Sequence, residues 1–87
     1  MIYFFDSSAL IKIYHYEKES DGIIEIYNAN GKILVTELSR IELMSAVHRK
    51  FREGFITENI LEILINKINY DFRSRFTMLY FSNAVIE

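Results

Sequence analysis

The run Ile2-Tyr3-Phe4-Phe5 is apolar without alternation and breaks off at Asp6. A run this short, made of β-branched and aromatic residues, suits a strand buried on both faces, the situation inside a parallel sheet. Lys32-Ile33-Leu34-Val35 and Phe76-Thr77-Met78-Leu79-Tyr80-Phe81 read as two more such strands. Parallel strands need long crossovers, and both intervals carry helical patterns. In the first, Ala9, Leu10, Ile13 and Tyr14 recur at helical spacing, with Asp6, Ser7 or Ser8 as N-cap. A second helix opens at Ser20, has Asp21 in its first turn, carries Ile23, Ile24 and Tyr27 on one side, and stops at the Asn28-Ala29-Asn30-Gly31 turn.

The second interval repeats the strand-to-helix step. Thr36 is placed as N-cap; Leu38, Ile41, Ser45 and His48 follow one helical row, and Leu43, Met44 and Val47 broaden the apolar surface. Arg49, Lys50 and Arg52 followed by Gly54 form a stop signal. Thr57 and Glu58 open a further helix in which Ile60, Leu61, Leu64, Ile65, Ile68 and Phe72 keep the period to about Asp71. Residues Ser82 to Glu87 read as a cap and a first helical turn. The expected fold is α/β, a short parallel sheet with right-handed connections, flanked by helices.

An 87-residue chain is one domain, 1–87, with a modest core. Its 51% hydrophobic content argues against disorder. The net charge of −2 supplies no overall basic field, so nucleic-acid binding would need a local patch. Cysteine is absent, which excludes disulfides and thiolate metal sites and is compatible with a reducing compartment such as the cytoplasm. No apolar run approaches the roughly 18 residues of a membrane span, and no signal-peptide layout is present, so a soluble protein with no membrane partner is expected.

In open parallel sheets ligands bind outside the carboxyl ends of the strands. Asp6 falls at such an end, where it is either a helix N-cap or a ligand-facing carboxylate. Glu42, four residues after Leu38 and next to Ile41, is expected on the helix side that faces the sheet. There it is costly unless paired or metal-bound; the alternative is a boundary position, paired with Arg40 or Arg49 or reaching water. Two carboxylates from separate elements suit Mg²⁺ or Mn²⁺, with waters completing the octahedron. Such a metal polarises a phosphodiester oxygen and activates a bound water.

Two segments, "IYFFDSSALIKIYHYEKES" and "ILVTELSRIELMSAVHRKF", resemble the PIN-domain family and, within it, VapC-type toxins of toxin-antitoxin systems. In the first, the Asp-Ser-Ser-Ala-Leu turn, Lys12, Tyr14 and Glu17 match the family's opening in order; the second is the strand and helix that bring in the second acidic residue. The resemblance implies a three-layer α/β/α fold and a Mg²⁺- or Mn²⁺-dependent endoribonuclease inhibited by an antitoxin protein. It implies Asp6 and Glu42 as catalytic and metal-binding residues, with Ser7, Ser8 and Thr36 as supporting hydroxyls. Such domains commonly dimerise, and an antitoxin segment enters the groove beside the acids. The family has two further acidic residues, beyond a third and a fourth strand. The chain is therefore expected to be an N-terminal portion, about two thirds of a PIN-like domain, lacking the C-terminal strand and most of the last helices. Asp71 and Glu87 fit neither missing position and are expected as solvated charges. The rival expectation is a non-catalytic PIN-like module that binds an antitoxin-like protein or a second copy of itself.

His48-Arg49-Lys50-Phe51-Arg52 mixes bases with an aromatic. Arg49, Lys50 and Arg52 are candidate RNA contacts, to which Arg73 and Arg75 add local charge; the alternative is basic residues answering a helix C-terminus. His15 and His48 have no nucleophile or metal spacing beside them and are expected at the surface.

Overall fold

A computed structural model describes residues 1–29 and 31–80. The order is β1 (Ile2–Phe4), α1 (Ser7–Tyr14), α2 (Ser20–Asn28), β2 (Lys32–Val35), α3 (Glu37–Arg52), α4 (Glu58–Ser74) and β3 (Thr77–Met78). The strands form a parallel sheet in the order β1-β2-β3. Tyr3 lies beside Ile33, Phe4 beside Leu34, and Val35 beside Met78. The protein is thus a small α/β fold built on a three-stranded parallel sheet, as its short apolar runs require. The expected third strand is shorter than its apolar run, and Phe81 with the expected turn at 82–87 lies outside the described residues.

Caps fix the helix starts. Asp6 accepts from the Ala9 N–H, Thr36 from that of Ser39 and Thr57 from that of Ile60, each satisfying a donor that the first turn leaves unpaired. Ser39 answers with its own hydroxyl on the Thr36 N–H, a reciprocal cap. At the other end of α3, Gly54 adopts φ +84°, a left-handed conformation that a Cβ would strain. Helix α4 runs three residues past Asp71, to Ser74.

One core holds the layers together. Leu10, Ile11 and Tyr14 of α1, Leu43 and Val47 of α3, and Leu61 and Ile68 of α4 pack with Phe5, Ile33, Val35 and Phe76; Ile23, Ile26 and Tyr27 of α2 close the edge. Full burial of an aliphatic side chain such as Ile33 or Leu43 is worth about 1.5–3 kcal/mol. All four helices therefore share one core with the sheet.

The opposite face departs from expectation. Ile2 is 66% and Phe4 56% exposed, so β1 is not buried on both sides. The strand order supplies the reason. Both crossovers advance in the same direction, and two right-handed crossovers of that kind set their helices on the same face. Among the described residues the architecture is helices on one side of the sheet, two layers where three were expected. No described helix is long and apolar enough to cross a membrane.

Helix α3 is also rotated from its expected orientation. Leu38 and Ile41 are 65% and 52% exposed, and the buried row is Ser39, Leu43 and Val47. The same period is kept, one residue out of phase.

Candidate functional site

The chain leaves β1 through Phe5, whose N–H continues the ladder to the Leu34 carbonyl at 3.0 Å. Asp6 follows at the carboxyl end of the sheet, beside the point where Val35 gives way to Thr36. Its Oδ1 accepts from the Ser8 hydroxyl at 2.8 Å and from the Ala9 N–H at 3.0 Å. The Ser8 hydroxyl, then the Ala9 N–H, hold the carboxyl below its ordinary range, with Lys12 adding to the effect. Asp6 is therefore the N-cap of α1 and an ionised, exposed carboxylate at the same time. Its second oxygen accepts neither of these bonds.

Glu42 is exposed, which corrects the expectation that it faces the sheet. The one-residue rotation of α3 turns Leu43 inward and carries Glu42 to the rim. Of the alternatives it takes the one that reaches water, not the pair with Arg40 or Arg49. Arg40 is bound to Glu37, and among the described residues no ion pair includes Glu42. Instead its Oε1 accepts from the Ser7 hydroxyl at 3.2 Å, across 35 residues of sequence. Ser7 thus brings Glu42 to the turn that Asp6 begins.

Each candidate hydroxyl has a defined role. Ser7 orients Glu42, Ser8 holds Asp6, and Thr36 caps α3. Mg²⁺ commonly binds one or two carboxylates and keeps several waters, so the Asp6–Glu42 pair has the right donor chemistry for it, each residue offering an oxygen outside the hydrogen bonds above. Among the described residues no three His, Asp or Glu side chains converge, so these residues do not form a closed protein cage. Beside the same sheet edge, Phe4, Thr36, Glu37, Leu38, Leu79 and Tyr80 line a largely apolar groove of about 560 Å³.

The basic candidates separate. Arg49 and Arg52 line an open groove along α3, whereas Lys50 turns to the other side, 3.9 Å from Glu17 and over the Phe55 ring. Arg75 is bound to the carbonyls of Tyr27, Ala29 and Gly31, which makes it a clamp on the end of α2 rather than a free cation. Of the histidines, His48 Nδ1 lies 2.7 Å from the Met44 carbonyl, and His15 Nδ1 is buried with no hydrogen-bond partner among the described residues.

Asp71 is the largest correction. Expected in solvent, it is 1% exposed and accepts from the Tyr14 hydroxyl at 2.7 Å and the Tyr27 hydroxyl at 3.0 Å, with Lys67 Nζ 3.6 Å away. A buried carboxylate survives only with such partners. The available signal was its place near the apolar row of α4, one residue before Phe72; its donors lie 57 and 44 residues away and carry no local mark. Glu87 lies outside the described residues. Neither a protein-family model nor a curated protein matches the chain.

Proposed function

We propose that the chain carries the metal-dependent endoribonuclease site of a PIN-type, VapC-like toxin, acting on RNA in the cytoplasm and held in check by an antitoxin protein. The observation that carries this reading is the Ser7–Glu42 hydrogen bond, which draws a carboxylate of α3 to the Asp6 turn at the carboxyl end of a parallel sheet. Asp6 and Glu42 would hold Mg²⁺ or Mn²⁺. When bound, the metal supplies charge to a phosphodiester oxygen and acidifies a water for attack. The protein's own part is to keep Asp6 ionised through Ser8 and Ala9, and to point Glu42 through Ser7.

The test is cleavage of a labelled single-stranded RNA with Mn²⁺ or Mg²⁺ by the chain and by its Asp6→Asn variant. Metal-dependent cleavage lost in the variant supports the reading. Equal cleavage by both ends it, and cleavage by neither favours the non-catalytic reading below.

A second reading is favoured by the apolar groove of Phe4, Leu38, Leu79 and Tyr80 at the same edge. Here the chain is a non-catalytic module whose groove takes an antitoxin-like segment or a second copy. Four apolar side chains beside an open sheet face suit a protein surface better than a phosphate backbone. Sedimentation equilibrium of the chain and of Leu38→Asp tests the second-copy form: self-association abolished by the substitution supports it, and an unchanged monomer excludes it.

A further inference from the structure

Helix α3 carries a second surface that the carboxylate pair does not use. Arg40, Met44, His48 and Arg52 recur every four residues, Ile41 and Arg49 run beside them, and together they line an open groove of about 640 Å³. The rotation of α3 that buries Ser39, Leu43 and Val47 is what turns this row outward. Arg40 is tied to Glu37 in the first turn, but Arg49 and Arg52 are exposed and enter no ion pair among the described residues. The Met44 carbonyl can only accept, so His48 Nδ1 carries the hydrogen and Nε2 is left for an outside partner. Between the cations Ile41 and Met44 supply apolar surface and Ser45 a hydroxyl. In a chain of net charge −2 this is a local basic stripe, not part of a general positive field. It starts within a turn of Glu42, and Arg52 lies about 15 Å further along the helix axis.

We propose that this stripe binds the phosphodiester backbone of a nucleic-acid strand, with the Arg49 and Arg52 guanidiniums forked onto phosphates. Guanidinium geometry suits phosphate oxygens, and Arg49 and Arg52, three residues apart on neighbouring rows of one exposed helix face, are spaced to follow the repeating charge of a strand. No Phe, Tyr or Trp lines the groove among the described residues, so binding is tolerant of base sequence and strongly dependent on salt. The stripe binds through α3 alone; that the strand is RNA rests on the nuclease reading of Asp6 and Glu42.

The experiment is fluorescence anisotropy of a short labelled single-stranded RNA, titrated with the full chain in EDTA over a salt series. Without a divalent metal, binding is read separately from cleavage, so failure of the nuclease reading leaves this readout intact. The double variant Arg49→Glu/Arg52→Glu should bind at least tenfold more weakly and lose about 1.4 units of the log–log salt slope, the value for two phosphates on a single strand. Lys18→Glu, an exposed cation in the turn between α1 and α2, should stay within about twofold of the parent, and circular dichroism should show all variants folded. A DNA strand of the same sequence should bind within about threefold, since the contacts are to phosphates. The proposal is overturned if the parent does not bind, if the double variant binds as the parent does, or if Lys18→Glu loses as much. It is also overturned if polyglutamate of matched charge displaces the strand as readily as unlabelled RNA, which would assign the stripe to an acidic protein.

Discussion

The Tyr14 hydroxyl donates to Asp71 over 2.7 Å and fastens the end of α1 to the last turn of α4. Burial, then the hydrogen bond to Asp71, push the Tyr14 phenol far above its ordinary range, so it remains a donor at any pH the fold tolerates. Tyr27 donates to the same oxygen, and Lys67 stands over the Tyr27 ring. Tyr14→Phe removes one of the two phenolic donors and should cost about 1–3 kcal/mol in urea unfolding. Asp71→Ala leaves both hydroxyls without their acceptor and should cost at least as much. A surface carboxylate would show neither effect.

Asp6 serves α1 as a cap and the proposed site as a ligand, and two substitutions separate these roles. Asparagine caps helices about as well as aspartate, whereas alanine does not, so Asp6→Ala should cost about 1 kcal/mol and Asp6→Asn much less. Metal-dependent RNA cleavage should be lost in both. Calorimetric unfolding beside the cleavage assay checks the pair.

The cap also sets a pH dependence. Because the Asp6 carboxyl is held below its ordinary value of 3.8 in the folded chain, its contribution is present above the unfolded value and is lost as pH falls through the folded one. The parent should therefore lose its stability advantage over Asp6→Ala as pH drops below about 4. Denaturant midpoints of the two proteins from pH 7 to pH 2 should converge in acid.

Ser7 bonds Glu42 at the exposed rim, so its loss should be nearly silent in stability and costly in metal binding. Ser7→Ala should stay within about 0.5 kcal/mol of the parent in unfolding. It should weaken Mn²⁺ affinity by about tenfold or more, the usual effect of removing a group that orients a ligand. Isothermal titration with Mn²⁺ reads the second number.

Arg75 joins three carbonyls at the end of α2 to the end of α4, and its guanidinium lies over the Tyr27 ring. Arg75→Ala should destabilise by about 1–3 kcal/mol, and Arg75→Lys should recover only part, because an ammonium cannot fork across several acceptors. Retained RNA affinity in either variant, at temperatures where it is folded, would set Arg75 apart from Arg49 and Arg52.

The elements were legible where their causes are local. Lys32 to Val35 could be read as a strand, and Thr36 and Thr57 as caps, because a strand's composition and a cap's hydrogen bond lie within a few residues. Asp6 could be read as a cap for the same reason, and its nearness to Glu42 was expected from its place at a strand's carboxyl end, where two carboxylates suit a metal, and from the family resemblance. The phase of α3 was not legible. Leu38–Ile41 and Ser39–Leu43–Val47 both satisfy a helical period, and the choice depends on which neighbours the helix docks against.

By itself the sequence determined a parallel α/β fold, since runs of four to six apolar residues separated by helical stretches have few other ways to pair their backbone groups. It also determined where most helices begin. Only the tertiary structure decided which faces are covered. It left Ile2 and Phe4 open, turned Glu42 to the rim beside Ser7, exposed the Arg49–Arg52 stripe and buried Asp71 between two tyrosines. The physical reason is that periodicity records that a face is apolar, whereas burial depends on contacts between residues tens of positions apart, which no local pattern encodes.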